Sequence, residues 1–266
     1  MTLQKLLGGN YKWWYILTFY TKSSGSGVYG FVFGQISQIL QILTIVYIWL
    51  INGSSSQIIT YLIVGRIYKA LSETFFSETL GVEIINGQIT RHLILPQDYF
   101  KLSLLRDVGR RAFYNFARAS IFLIAIFVYF NNIDFSRFTF SNILLLLIFI
   151  PITFINTFYI EYIVGSQAFF ISDKRTYTGI RKAYEGISGI LSGVLIPLDK
   201  LPFYNIIQFL PTSWIVHHPI QIYLGKYDTN QTILVFVGGL AWCLVLYILA
   251  KIVFKLGLKR NESVGL

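Results

Sequence analysis

The sequence predicts an all-α, polytopic membrane protein with six transmembrane helices. Composition is the first reason: 55% of the 266 residues are hydrophobic and only 13% charged, where ordinary soluble domains carry roughly 25% charged residues. Mean hydropathy is +0.60. The second reason is that the apolar residues come in runs of about 20, the length needed to cross a hydrocarbon core. Helices are expected because each one satisfies its own backbone groups inside the bilayer. The third reason is charge placement. Sixteen of the 22 Lys and Arg fall in the N-terminal segment, 91–111, 174–182 and the C-terminus. Arg137, Lys200 and Lys226 lie on the opposite side, and Arg66, Lys69 and Arg118 lie within spans. Such asymmetry sets orientation, with both termini cytoplasmic. The net charge of +10 is therefore read as topology; no basic stripe on a soluble domain points to nucleic acid.

In chain order, residues 2–22 mix Lys5, Lys12 and Lys22 with Trp13, Trp14, Tyr15 and Tyr20, which suits an interfacial elbow helix at the headgroups. The N-terminus lacks a short apolar core with a small-residue cleavage site, so no cleaved leader is expected. The first span, 28–51, carries Gln35, Gln38 and Gln41 at intervals of three. That stripe suits either a polar pathway or hydrogen bonding between helices. The second span, 57–79, holds Arg66, Lys69 and Glu73, spaced to share a face, with Lys69 and Glu73 able to pair.

The polar stretch at 82–98 has an Asn86-Gly87 turn signal and a Pro96 stop between two greasy segments. Apolar anchors at Ile89, Leu93 and Leu95 with flanking charges suit a short helix docked in a partner's groove. The third span, 104–130, contains Arg118, and the fourth, 139–171, contains Pro151 and the isolated Glu161. Glu161 and Arg118 are expected to pair, with Arg66 and Lys69 as alternative partners, because a buried intramembrane charge needs one. The fifth span, 178–197, is rich in small residues. Its Ser188-x-x-x-Ser192 and Gly189-x-x-x-Gly193 patterns fit close packing. Prolines 197, 202, 211 and 219 break the next stretch, so 198–219 reads as a re-entrant segment. A sixth span, 231–254, precedes the basic C-terminus. The whole chain is read as one transmembrane domain, 1–266.

Chemistry is sought next. The chain has no Gly-x-x-x-x-Gly-Lys phosphate loop, so no ATP hydrolysis of its own is expected. The adjacent His217 and His218 have no carboxylate cluster beside them, and no metal site is expected. The single cysteine, Cys243, lies in an apolar run and reads as a small buried hydrophobe. No catalytic residue is assigned.

Three stretches then carry a resemblance: Ile85-Asn86-Gly87-Gln88-Ile89 with Leu93-Ile94-Leu95-Pro96; Ile187-Ser188-Gly189 with Leu195-Ile196-Pro197-Leu198 and Leu201-Pro202; and Leu210-Pro211 with Pro219-Ile220 and Leu224-Gly225. In this order, with an elbow helix and six spans, they resemble an ABC-2 type transporter permease over nearly the whole chain. The resemblance implies the transmembrane subunit of an ATP-binding-cassette exporter in a bacterial plasma membrane. Two such subunits, identical or related, would pair in the lipid bilayer over two separate ATPase subunits that hold ATP and Mg. It implies that 82–98 is the coupling helix, with Glu83, Asn86, Gly87, Arg91, Leu93 and Pro96 docking the ATPase. Gln35, Gln38, Gln41, Ser188 and Ser192 are the candidates for a pathway or pairing face, with an amphipathic cargo (lipid, lipid-linked glycan, peptide or drug). The rival readings are an ion-coupled secondary transporter using Arg66, Lys69 and Glu161, and a membrane-embedded enzyme using a histidine. No convincing internal repeat supports the first.

Overall fold

A computed structural model describes the backbone of residues 28–94, 98–171 and 173–263, with side chains described except at 28–32, 112, 113 and 261–263. The expected elbow helix at 2–22, and Leu95 and Pro96 of the expected docking stretch, lie outside the described residues. The described residues form helices joined by short turns: α1 Val28–Ile51, α2 Ser56–Ser72, α3 Phe76–Ile85, α4 Ile89–Leu93, α5 Tyr99–Ile121, α6 Leu123–Val128, α7 Phe140–Ser166, α8 Lys174–Leu191, α9 Tyr204–Ile207, α10 His217–Tyr223 and α11 Thr229–Ser263.

Three stretches are long and apolar enough to cross a membrane: Phe33–Ile51, Phe140–Phe170 and Thr229–Arg260. A fourth arises if Tyr99–Arg111 and Tyr114–Val128, bent by 41°, count as one span. The other two expected spans differ from the reading above. At 57–79 the helix stops at Ser72, and Glu73 takes an extended conformation (φ −77°, ψ 141°). Thr74 Oγ1 then accepts the Phe76 N–H at 3.3 Å, starting α3 separately. At 178–197 the helix begins earlier, at Asp173, whose carboxylate accepts the Thr176 N–H at 2.7 Å as an N-cap. That helix ends at Leu191, and Gly193 (φ +83°) turns the chain.

Shielding explains why α2 tolerates its charges. Ten of its residues, from Ile59 to Ser72, are buried, so protein rather than lipid surrounds it. Beside it runs α7, the other organising helix, which packs against α2, α3, α10 and α11. Its contact with α11 is close because Gly238 and Gly239 leave room for Trp214: a Cβ at Gly238 would lie 2.7 Å from the indole. The indole Nε1 donates to Val235 O at 2.8 Å. Two apolar clusters result. The larger joins α1, α2, α7 and α10 through Ile42, Leu62, Phe149 and Ile220. The smaller joins α3, α5, α7 and α11 through Phe76, Leu80, Phe100, Phe158 and Ala250.

Residues 198–219 fold as short broken pieces, with a turn at Leu198–Lys200, α9, a turn at Pro211–Trp214 and the start of α10. They seat α10, buried along its whole length, on α2 and α7.

Candidate functional site

The region expected to dock a partner is a helical hairpin. Gly87 (φ +68°) ends α3, a backbone conformation that side chains other than hydrogen disfavour. Thr90 Oγ1 donates to Gly87 O at 2.8 Å and fixes the reversal into α4. Ile89 is fully buried and pins α4 to the smaller cluster. Asn86 and Arg91 are exposed, Leu93 is 40% exposed and Ile94 82%. The outward edge of α4 is thus a cation followed by two uncovered aliphatic side chains.

Glu83 does not belong to that edge. Arg106 Nη1 meets its Oε1 at 2.8 Å, Arg106 Nη2 donates to Oε2 at 3.1 Å, and Tyr99 Oη donates to Oε2 at 3.0 Å. Its side chain is mostly buried. Glu83 is an internal strut that ties the hairpin to the start of α5, and it stands behind the exposed edge rather than on it. Its neighbour His92 stands 3.9 Å from Oε1.

Of the charges expected within spans, Lys69 pairs with Glu73 as the spacing predicts, while the others pair differently. Arg118 meets Glu73, not Glu161. Lys69 Nζ is 3.7 Å from the same Glu73, and Asn115 Nδ2 donates to Glu73 O at 2.8 Å. The break after Ser72 is the cause, because it swings Glu73 off the α2 axis toward α5. Arg66 donates to Gln41. Glu161 instead accepts the Ser77 N–H on Oε2 at 3.2 Å. Ser77 lies in the first turn of α3, where backbone N–H groups lack helical partners and a carboxylate is favoured. Tyr177 Oη donates to Ser77 O at 2.6 Å and brings α8 to the same point.

These groups border a cavity of about 160 Å³ lined by Gln38, Lys69, Glu73, Glu161, Tyr184 and Ser188, among others. A larger groove of about 900 Å³ runs beside α1, with Ser37, Gln41, Thr44, Trp49 and Leu195 on its walls. Of the expected pathway residues, Gln38 and Ser188 therefore meet in the cavity and Gln41 faces the groove. Gln35 is buried, with Oε1 unpartnered. Ser192 lies outside both: it is buried, its hydroxyl donates to Gly189 O at 3.3 Å, and its carbonyl accepts the His217 N–H. Gly189 likewise faces its own chain, near Leu195. The small-residue face that stays open is Gly179, Ala183 and Gly186.

The sequence reading left His217 and His218 without a role, and it missed their tyrosines. His217 lies between Tyr61 Oη on Nδ1 and Tyr204 Oη on Nε2, both at 3.3 Å. His218 Nε2 donates to Gln208 O at 2.8 Å, and Tyr227 Oη donates to Nδ1 at 2.9 Å. The His217 ring thus ties the broken segment to α2, and the His218 ring ties Gln208 to Tyr227. No sequence signal separates these tyrosines from the interfacial ones that the chain carries elsewhere.

No curated protein and no solved structure matches the chain. A family model described as ABC-2 family transporter protein matches residues 36–265, which takes in the α3–α4 hairpin, the charged interior and the broken segment at 198–219. The chain belongs to the ABC-2 family of transporter proteins and is a transmembrane component of that kind.

Proposed function

We propose that the chain is the permease subunit of an ATP-binding-cassette exporter whose ATPase is a separate protein. The observation that carries this reading is the exposed edge of α4, Arg91-x-Leu93-Ile94, held on a hairpin braced from inside by Ile89 and by Glu83–Arg106. A helix bearing uncovered apolar side chains beside a cation suits a partner's groove. Its bracing lets a push there reach α5 and α7 without being absorbed locally. In this reading six membrane crossings leave both termini cytoplasmic. Crossings two and five are the shielded α2 and the more polar, largely uncovered α8, and residues 198–219 form the outer cap. Two permeases, identical or related, sit over two ATPases in a bacterial plasma membrane. The cargo is amphipathic and travels along the groove beside α1, where Gln41 and Thr44 interrupt an apolar wall.

The test is co-purification with the ATPase and measurement of its stimulated activity. Arg91→Glu together with Leu93→Asp should abolish association while leaving the chain's own thermal unfolding unchanged. Retained association would remove the docking assignment.

A further inference from the structure

The cavity between α1, α2, α7 and α8 is surrounded by charges that nearly cancel. Lys69 and Arg118 both engage Glu73, and Arg181 engages both Glu78 and Glu185. Three cations therefore balance three carboxylates. Arg66, one turn before Lys69, donates to the neutral amide of Gln41 and is not among the residues lining the cavity. The carboxylate left over is Glu161. It is 5% exposed, borders the cavity, and has no Lys or Arg within ion-pair distance among the described residues. The Ser77 backbone N–H donates to its Oε2 at 3.2 Å.

Lys69 lines the same cavity but is paired with Glu73; a buried carboxylate with no direct ion pair of its own is costly in a membrane protein, and such groups mark ion or substrate sites. The space beside this one is polar. Gln38, Thr157, Tyr184 and Ser188 bring oxygen-bearing side chains to its wall, and oxygen ligands suit hard cations. At about 160 Å³ it holds roughly five waters' share of liquid volume. That fits a partly hydrated monovalent ion or a primary ammonium group, and falls short of the roughly 300 Å³ at which drug-sized sites begin.

We propose that this cavity is a monovalent-cation site in which Glu161 supplies the charge. The occupant is an alkali-metal ion or the ammonium head of a transported amphiphile; only the second source rests on the transport reading above. Thermal unfolding of the full chain in lipid nanodiscs tests it, with NaCl, KCl or methylammonium chloride titrated in and N-methyl-D-glucamine chloride holding ionic strength constant. A ligand that binds only the folded chain raises Tm with the logarithm of its concentration. Wild type and Glu161→Asp should show that rise and Glu161→Gln should not. Ser188→Leu, which fills the cavity and leaves every charge in place, should flatten the curve as well, and it serves if Glu161→Gln fails to fold. A rise with Na⁺ or K⁺ identifies a free ion, and a rise with methylammonium alone identifies an amine head. A wild-type response equal to that of glucamine, or an undiminished rise in Glu161→Gln, overturns the proposal. The readout involves neither ATPase nor transport, so failure of the permease reading leaves it standing.

Discussion

Glu83 shows how far a residue's role depends on what lies across the chain from it. From sequence it is an acid in a polar loop, and solvent or a partner is the natural destination. Its real partners, Tyr99 and Arg106, lie 16 and 23 positions away, at separations no local pattern reveals. Arg106 is 2% exposed, so removing Glu83 takes away the carboxylate that a buried cation meets at 2.8 Å. Glu83→Ala should therefore cost about 3 kcal/mol of stability, the scale for breaking a buried pair from one side, and denaturant or thermal unfolding in nanodiscs would read it. Glu83→Gln, which keeps the hydrogen-bond acceptor for Tyr99, should cost less. The same logic separates Glu73 and Glu161. A double-mutant cycle on Glu73→Gln and Arg118→Gln should show coupling of about 1 kcal/mol or more. A cycle on Glu161→Gln and Arg118→Gln should be additive to within a few tenths, as for groups that share no contact.

At the scale of elements, what hydropathy reveals is which helices meet lipid. The long apolar stretches in α1, α7 and α11 are plain in the sequence because a lipid-facing helix has to be apolar almost throughout. The limits of α2 and α8 differ from the expected spans for the converse reason: protein shields α2, and α8 is too polar for a simple span, so length and hydropathy give no limit there. The break at Glu73 depends on Thr74 and Asn115, a cap and a cross-helix bond that no periodicity records. The hairpin itself was legible, because Asn86-Gly87 announces a turn wherever it occurs. Its seating was not. It relies on α3 lying tight against α7, where a Cβ at Gly165 would come 3.0 Å from Leu80 Cβ and 3.1 Å from Ser77 Cα. Backbone on one side leaves little room to yield. Gly165→Val should cost about 1–3 kcal/mol by overpacking. It should also weaken ATPase stimulation more than ATPase binding, because α4 keeps its exposed edge while its support shifts.

At the scale of the whole molecule, the proposed pairing of permeases needs a face that the single chain leaves unfilled, and α8 supplies one. Its inner side is spent on Tyr177 and Gly189, which are buried against the chain's own helices. Its outer side presents Gly179, Ala183 and Gly186, spaced by four and three positions, with Ile180 and Ile187 exposed beside them. Small residues at that spacing let two helix backbones approach closely, which is what drives helix association where lipid is as apolar as the side chains. A Cβ at Gly179 or Gly186 would meet nothing within 4 Å, so a larger side chain is free within one chain and obstructive only between two. Gly186→Leu should leave the unfolding of the isolated permease unchanged. It should weaken self-association in nanodiscs or detergent about tenfold, equivalent to roughly 1.4 kcal/mol. Gly257→Leu on α11 is the contrasting variant: its Cβ would fall 2.3 Å from the Phe169 ring, so it should destabilise the single chain. Sedimentation of labelled protein over a concentration series distinguishes the two effects. If Gly186→Leu pairs as tightly as the wild type, the contact between permeases does not run through α8, and the exposed length of α1 beside the groove becomes the surface to vary next.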